Sequence, residues 1–204
     1  FNFQFSNPFS TLNFCMARTS KIKSRYAPGT GGFMRPEEVL GKLDIEKGMK
    51  IADFGCGAGY FTILLAKIVE KDGTVYAIDV QRSALESVEG RARINSLLNI
   101  EIIRGDLERE NGSGLASKSV DMVMLANILF QSKSKDAILK EAKRVLGKNG
   151  TIVVIEWNDD APFGPKPAYR ISKEKLKQAV KDAGFILEKE FNAGSSHYGL
   201  VFSL

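Results

Sequence analysis

The amino-acid sequence predicts an α/β protein with a doubly wound, mostly parallel sheet of seven strands that ends in an antiparallel hairpin, with helices on both faces. Short apolar runs rich in β-branched residues alternate with segments of helical period from residue 49 onward. Two of the runs, IADFG and TIVVIEW, are almost unbroken, which is typical of parallel strands buried on both faces. The last two runs are separated only by NAGSSH, which is too short for a crossover helix, so we expect them to pair antiparallel.

Each predicted element has its own local signal. Strands are predicted at Lys50–Phe54, Thr74–Val80, Ile100–Arg104, Val120–Leu125 and Thr151–Trp157, and then at the FILEKEF and YGLVF segments of the hairpin. Helices are predicted at Pro36–Leu43, Tyr60–Glu70, Ser83–Leu98 and Lys135–Leu146, and from the N-cap Ser172 to Ala183. Proline suits the first position of the first helix, and Gly184 ends the last one. The longest connections, residues 109–119 and 158–167, are where we expect a substrate lid.

Length and composition indicate one folded domain. The 204 residues are 44% hydrophobic and 26% charged, which excludes collagen-like and disordered classes, and two cysteines exclude a disulfide scaffold. We expect a single domain over residues 36–204, preceded by a basic and aromatic arm at residues 1–35. Within the arm, residues 1–15 hold five phenylalanines and differ in composition from the chain after Met16, so we expect a leader or an extension foreign to the natural chain.

The distribution of charge argues against a nucleic-acid substrate. Five of the 29 Lys and Arg residues precede Glu37, the first acidic residue, so residues 36–204 carry 24 basic and 24 acidic side chains. The net charge of +5 therefore belongs to the arm. The sequence contains no run of 18 apolar residues, so it predicts no membrane span. The low cysteine count favours a cytoplasmic location.

The most informative motif lies between the first predicted strand and the helix after it. The segment Asp53-Phe54-Gly55-Cys56-Gly57-Ala58-Gly59 lets the backbone turn tightly and lets a ligand approach it closely. Its G-x-G-x-G spacing lacks the third glycine of the dinucleotide fingerprint, which disfavours a nicotinamide-dependent oxidoreductase. Twenty residues after Gly59, the second strand ends at Asp79, where a carboxylate is placed to accept hydrogen bonds from ribose hydroxyls. The pattern favours a nucleoside ligand without a pyrophosphate.

Together with later motifs, these residues resemble the class I S-adenosylmethionine-dependent methyltransferases, a Rossmann-like family. The later motifs are Gly105-Asp106, Asp121-x-Val123, Leu125-Ala126-Asn127 and Arg144-Val145-Leu146. Within that family the chain is most similar to the small C-methyltransferases of ubiquinone and menaquinone biosynthesis, over roughly residues 36–204. The resemblance implies S-adenosylmethionine as cofactor, S-adenosylhomocysteine as product and a small-molecule methyl acceptor. It leaves the acceptor, the acceptor atom and the oligomeric state open.

The resemblance also implies a set of cofactor-binding residues. Gly55, Cys56 and Gly57, followed by Gly59, would run along the methionine and ribose, Asp53 would lie near the methionine amino group, and Asp79 would hold the ribose. Val80 would pack on the adenine face, Asp106 and Leu107 would meet the adenine edge, and Asn127 would lie beside the methionine and the substrate entrance. The alternatives are a capping or turn carboxylate for Asp53, a solvated loop residue for Asp106 and a turn former for Asn127.

The sequence indicates a catalytic group less clearly than it indicates the cofactor-binding residues. His197 is the only histidine. From the hairpin turn it could reach the substrate side, but a lone loop histidine is more often plain surface. Trp157 could form an aromatic wall or belong to the core, and Tyr26, with Arg25 and Phe33 on the arm, could fold over the cofactor as a lid. No metal-ligand cluster stands out. A module that binds S-adenosylmethionine without turning it over is the main alternative to an enzyme, ahead of the oxidoreductase.

Overall fold

The computed structural model describes residues 34–204 as a single sheet of seven strands with helices on both faces. The helices are α1 (Pro36–Leu40), α2 (Tyr60–Val69), α3 (Arg82–Ile94), α4 (Lys135–Val145) and α5 (Lys173–Asp182). The strands are β1 (Lys50–Phe54), β2 (Thr74–Asp79), β3 (Ile100–Arg104), β4 (Val120–Ala126), β5 (Leu146–Trp157), β6 (Ile186–Asn192) and β7 (His197–Ser203). Residues 1–33, which include Tyr26, Arg25, Phe33 and most of the predicted arm, lie outside the described residues.

The strand order is β3-β2-β1-β4-β5-β7-β6. Strands β1 to β5 pair in parallel, whereas β7 pairs antiparallel with both β5 and β6. The predicted fold class and its terminal hairpin are therefore confirmed. The order reverses between β1 and β4, and a crevice at the carboxyl ends of strands is expected at such a switch point.

Two apolar layers hold the helices to the sheet. On one face, Phe54, Leu125 and Val154 are fully buried beneath α4 and α5. On the other face, Ile51 and Met124 pack against α1 and α2. The same face of β2 carries α3, which packs Leu85 and Val88 onto Ala77. Burial on both faces explains why the central strands are almost continuously apolar.

Three element boundaries differ from the prediction by three residues or more. Helix α3 ends at Ile94 rather than Leu98, because Asn95 Nδ2 bonds back to the carbonyl of Arg91 and Ser96 has a φ of +53°. Strand β5 begins at Leu146, which pairs with Val120 before a register shift lets Thr151 pair with Met122. Residues 147–150 thus form a bulge within the strand. Helix α1 ends at Leu40, three residues early.

A buried ionic network fixes the loop between β3 and β4. Glu141 of α4 is 3% exposed and accepts hydrogen bonds from the Arg144 guanidinium, the nearer at 2.7 Å, and from the backbone amide of Ser113 at 3.0 Å. Burial by itself would raise the pKa of Glu141, but the hydrogen bonds from Arg144 and Ser113 lower it below its ordinary value. Residues 109–119, where the sequence predicts a lid, are therefore anchored to α4. No helix among residues 34–204 is both long and apolar enough to cross a bilayer.

Candidate functional site

A cleft of about 530 Å³ lies at the carboxyl ends of β1, β4 and β5, beside the start of β7. Its lining combines the glycine loop with side chains from distant segments: Met34, Asp53, Gly55, Cys56, Gly57, Ala58, Tyr60, Phe61, Ala126, Asn127, Trp157, Gly164 and His197. A depression of similar size, about 540 Å³, lies at the opposite ends of the strands, between the end of α2 and the segment before β3. It contains none of the glycine-loop residues, so we place the candidate site in the first cleft.

The loop Gly55–Gly59 needs glycine because its backbone is left-handed at three positions. The φ angles are +71° at Gly55, +51° at Gly57 and +80° at Gly59. A residue with a side chain adopts such angles only at an energetic cost. The amides of Gly55 and Cys56 both donate to the carbonyl of Ile78 in the neighbouring strand, at 2.8 and 3.0 Å. A Cβ added at Gly57 would meet no atom within 4 Å. The loop is therefore fixed to β2 while its Gly57 backbone faces open space in the cleft.

Asp79 connects this loop to a second compartment. One carboxylate oxygen accepts the amide of Gly57 at 3.0 Å, and the other accepts the amide of Gln81 at 2.8 Å. Beyond Asp79 lies a smaller hollow of about 280 Å³, lined by Asp79, Val80, Gln81, Gly105, Asp106, Leu107, Glu108, Ile128, Gln131, Ser132 and Ile138. We call this hollow the nucleoside lobe and the 530 Å³ cleft the acceptor lobe, after the ligands expected from the sequence at each end. The predicted cofactor residues divide between these two lobes, except that Gly59 lines neither. The 530 Å³ cleft contains Asp53, Gly55, Cys56, Gly57 and Asn127, and the 280 Å³ hollow contains Asp79, Val80, Asp106 and Leu107.

The nucleoside lobe has one apolar and one charged side. Val80 is 53% exposed, whereas Leu107 is buried. Asp106 accepts the amide of Glu108 at 3.2 Å and pairs with Arg109 at 2.8 Å. The lobe therefore offers an exposed aliphatic surface beside carboxylate acceptors, which suits a flat heterocycle with attached hydroxyl groups.

Asp53 is a buried carboxyl group at the end of β1. It is 1% exposed and accepts a hydrogen bond of 2.5 Å from the hydroxyl of Thr62 in α2. Burial raises its pKa to about 6, with a further increase from the charge of Asp79, while the bond from Thr62 acts in the opposite direction. Asp53 also lines the acceptor lobe. A carboxylate desolvated in this way gains from a cationic group bound next to it.

The far wall of the acceptor lobe brings together three side chains at or next to the ends of separate strands. Asn127 Nδ2 and His197 Nε2 are 3.1 Å apart, and the imidazole lies against the Trp157 indole with ring centroids 4.0 Å apart. Asn127 Oδ1 and His197 Nδ1 are buried without a hydrogen-bond partner in the described part of the chain. Burial lowers the pKa of His197 to about 4, so the imidazole is neutral near pH 7. This wall is aromatic, uncharged and able to hydrogen-bond.

His197 lies in a strand and is buried, whereas the sequence predicts a residue in a turn. It is the first residue of β7, pairs with Trp157 across the ladder and is 2% exposed, so the plain-surface alternative is wrong. Trp157 is half-buried and lines the cleft rather than the core. Asn127 has a φ of +57°, the left-handed conformation that asparagine tolerates, and its amide donates to Ile155.

Glu156, the neighbour of Trp157, faces the opposite side of the sheet and does not line the cleft. Its carboxylate accepts the amide of Phe130 at 3.1 Å in the short turn after β4. Burial raises the pKa of Glu156 to about 7, although backbone hydrogen bonds act in the opposite direction. This side chain therefore supports the segment that carries Asn127 instead of meeting a ligand.

Several lining residues carry no signal that singles them out in the sequence. Met34 reads as an ordinary core position, and Gly164 as part of a proline-rich loop. Only the first turn of α2, directly after the glycine loop, marks Tyr60 and Phe61 as neighbours of a ligand. Sequence reasoning found the residues around the glycine loop and expected a substrate lid at residues 158–167, but it did not single out Gly164 within that loop.

Comparisons with known proteins agree with the family that the sequence resembles. A family model described as a methyltransferase domain matches residues 45–194. A Methanosarcina acetivorans protein named "Probable cobalt-precorrin-6B C(15)-methyltransferase (decarboxylating)" is 34% identical over 128 residues, which are 61% of this chain and 66% of that protein. The demethylmenaquinone methyltransferase of Geobacillus stearothermophilus is 28% identical over 133 residues, which are 65% of this chain and 56% of that protein. The chain thus spans just under two thirds of the first relative and just over half of the second.

Among solved structures, a SAM-dependent methyltransferase from Aquifex aeolicus resembles the chain over most of its length. The TM-score is 0.79 at 26% sequence identity, and the match covers 87% of this chain and 93% of that one. A likeness of this extent indicates that the two chains share one fold.

Proposed function

The chain belongs to the methyltransferase-domain family, and we propose that it transfers a methyl group from S-adenosylmethionine to a small-molecule acceptor. The observation that carries this proposal is the hydrogen bond from the Gly57 amide to Asp79, which joins the glycine loop to the nucleoside lobe. S-adenosylmethionine supplies, when bound, a methyl group on a positively charged sulfur that is already activated for transfer. The protein then has to hold the acceptor in line and keep water out.

The residues of the crevice fit an adenosyl ligand. Each carboxylate oxygen of Asp79 accepts one amide and retains capacity for a second donor, which leaves room for two ribose hydroxyls. The exposed side chain of Val80 provides an apolar surface for the adenine ring. Because a Cβ at Gly57 would project into open space, a ligand can lie directly against that backbone. Asp53 is the carboxylate available to the ammonium group of the methionine portion.

The acceptor lobe favours a neutral, flat and largely apolar acceptor. Trp157 and Phe61 supply aromatic surface, and no lysine or arginine of the described chain lines this lobe. A carboxylate or phosphate on the acceptor would find no counter-charge there among residues 34–204. The neutral imidazole of His197, held against Asn127, is the polar group at the acceptor end. We propose further that the reaction takes place in the cytoplasm, the compartment favoured by a chain with two cysteines.

Calorimetry followed by a methyl-transfer assay tests the proposal. We expect S-adenosylhomocysteine to bind the full chain and NADH not to bind, because the loop lacks the third glycine of the dinucleotide motif. Methyl-labelled S-adenosylmethionine should then label at least one compound in a panel of phenols, hydroquinones and amines. Binding of NADH without binding of S-adenosylhomocysteine would overturn the proposal. Binding without any label transfer would indicate a module that holds the nucleoside without turning it over.

The pKa of Asp53 predicts a pH dependence of cofactor affinity. The ammonium group of S-adenosylhomocysteine is attracted by the ionised carboxylate, so a proton on Asp53 competes with the ligand. Because the pKa is about 6, we expect the affinity to be constant above pH 7 and to fall about tenfold by pH 5. Asp53→Asn should bind more weakly at pH 7.5 and lose this dependence. A wild-type affinity that stays constant between pH 8 and pH 5 would rule out the pairing of Asp53 with the ammonium group.

A further inference from the structure

The loop between β5 and α5 is organised by one side chain, Arg170. Its guanidinium donates to five backbone carbonyls of that loop at distances of 2.8 to 3.2 Å: Asn158, Asp159, Ala161, Phe163 and Pro165. These carbonyls come from alternate or adjacent residues, so the chain curves around the cation. A loop of this length without strands or long helices has few internal partners for its carbonyls, and Arg170 supplies them.

Arginine is the side chain suited to this arrangement. The guanidinium presents five N–H donors in one rigid plane. Here all three nitrogens donate: Nε to the carbonyl of Pro165, Nη2 to that of Phe163, and Nη1 to the remaining three carbonyls. A lysine in this place would bring the same charge but at most three donors on a flexible stem. The geometry of the loop therefore depends on the shape of the guanidinium as well as on its charge.

The organised loop is part of the acceptor lobe. Gly164 lies between two of the bonded carbonyls, has a φ of +99° and lies so close to Trp157 that an added Cβ would be 2.5 Å from the indole. The indole in turn lies against His197, whose ring nitrogen meets Asn127. All four of these residues line the cleft. A continuous series of contacts thus leads from Arg170 to the wall that an acceptor would touch.

The two ends of the loop are anchored independently of Arg170. The amide of Asn158 donates to the carbonyl of Ser196 at 2.9 Å, and the hydroxyl of Tyr198 donates to the carbonyl of Ile171 at 2.8 Å. Both contacts attach the loop to β7 or to the turn before it. Loss of the Arg170 contacts would therefore release the middle of the loop and leave its ends in place.

We propose that Arg170 is a positioning residue that holds residues 158–165 against Trp157 and thereby shapes the acceptor lobe. The role in acceptor binding rests on the proposed function, but the contact between the loop and Trp157 can be measured without an acceptor. Since Trp157 is the only tryptophan in the chain, its fluorescence reports directly on the contact with Gly164. None of the residues proposed to hold the cofactor lies on residues 158–165, so cofactor affinity and the geometry of the loop can be measured separately.

The experiment compares Arg170→Gln and Arg170→Lys with the wild type in the full chain. We expect Arg170→Gln to shift the Trp157 emission to the red, to raise acrylamide quenching at least twofold and to speed chymotryptic cleavage after Phe163 about tenfold. Arg170→Lys should recover less than half of each change, because lysine cannot reach all five carbonyls. The affinity for S-adenosylhomocysteine should stay within twofold of wild type in both variants. Gly164→Ala, which would displace the indole directly, should shift the Trp157 emission. It should not speed proteolysis at the two ends of the loop, next to Asn158 and Ile171.

The matched control is Arg93→Gln, since Arg93 is an exposed arginine of α3 whose ion pair with Glu89 is remote from the loop. It should leave emission, quenching and cleavage at wild-type values. Unchanged Trp157 emission in Arg170→Gln would overturn the proposal, and so would full rescue by Arg170→Lys. Global unfolding of Arg170→Gln with loss of S-adenosylhomocysteine binding would also overturn it, because Arg170 would then support the whole domain. If the wild type does not bind S-adenosylhomocysteine, the proposed function fails while the fluorescence still decides the role of Arg170.

Discussion

Replacement of Asp79 by alanine is expected to weaken the binding of S-adenosylhomocysteine by at least two orders of magnitude. The change removes the acceptor of the Gly57 amide and the acceptor proposed for the ribose hydroxyls. A hydrogen bond to a charged group contributes about 1.5 to 3 kcal/mol, so the loss of two corresponds to a factor of roughly 100 or more. Asp79→Asn should be intermediate because one carbonyl oxygen remains. Isothermal calorimetry on the full chain measures the effect.

Asp72→Ala is the matched control for this variant. Asp72 is an exposed aspartate in the turn before β2, at the opposite end of the strand from Asp79. It should bind S-adenosylhomocysteine like the wild type. Thermal melts establish that each variant is folded before its affinity is compared. An Asp79→Ala protein that melts normally and binds with wild-type affinity would show that the crevice does not hold the ribose.

Gly57→Ala is expected to reduce cofactor affinity at least tenfold while the domain stays folded. At a φ of +51°, a side chain costs about 1 to 2 kcal/mol of stability, which a domain of this size tolerates. The added methyl group meets no protein atom within 4 Å, so its only steric conflict is with a ligand in the cleft. The loss of affinity should therefore exceed what the loss of stability explains.

Gly48→Ala separates the two effects. Gly48 has a φ of +84° and open space around its Cβ position, and it precedes β1 at the end of the sheet remote from the cleft. The strain is the same in kind, so both variants should lose a similar free energy of unfolding in urea titrations. Only Gly57→Ala should lose affinity for S-adenosylhomocysteine. Equal affinities in the two variants would contradict an adenosyl ligand lying against the Gly57 backbone.

The residues around the glycine loop were predictable because their signals are local. A left-handed turn after a strand selects glycine, and a carboxylate at the end of the next parallel strand lies at the same edge of the sheet. These two rules bring Gly57 and Asp79 together without any knowledge of packing. The structure places the two residues in hydrogen-bond contact, whereas their roles toward a cofactor stay predictions until the variants are measured.

Other positions were not predictable because long-range packing decides them. His197 reads as a turn residue, and only its pairing with Trp157 in the β5–β7 ladder buries it. Strand alternation predicts that Glu156 and Trp157 point to opposite faces of the sheet, but only the assembled sheet decides which of the two borders the cleft. Arg170 carries no motif at all, since its five partners are main-chain carbonyls whose positions depend on the path of the loop.

The order of strands and helices, the final hairpin and the nucleoside end of the crevice are determined by the sequence alone, because periodicity, glycine spacing and strand-end carboxylates act over a few residues. The acceptor end was decided by tertiary structure. There, Asn127, Trp157, Gly164 and His197 come from four separate segments, and their contacts exist only once the sheet has assembled. The physical reason is that burial and close packing between distant segments, unlike turn geometry, leave no pattern within any one of them.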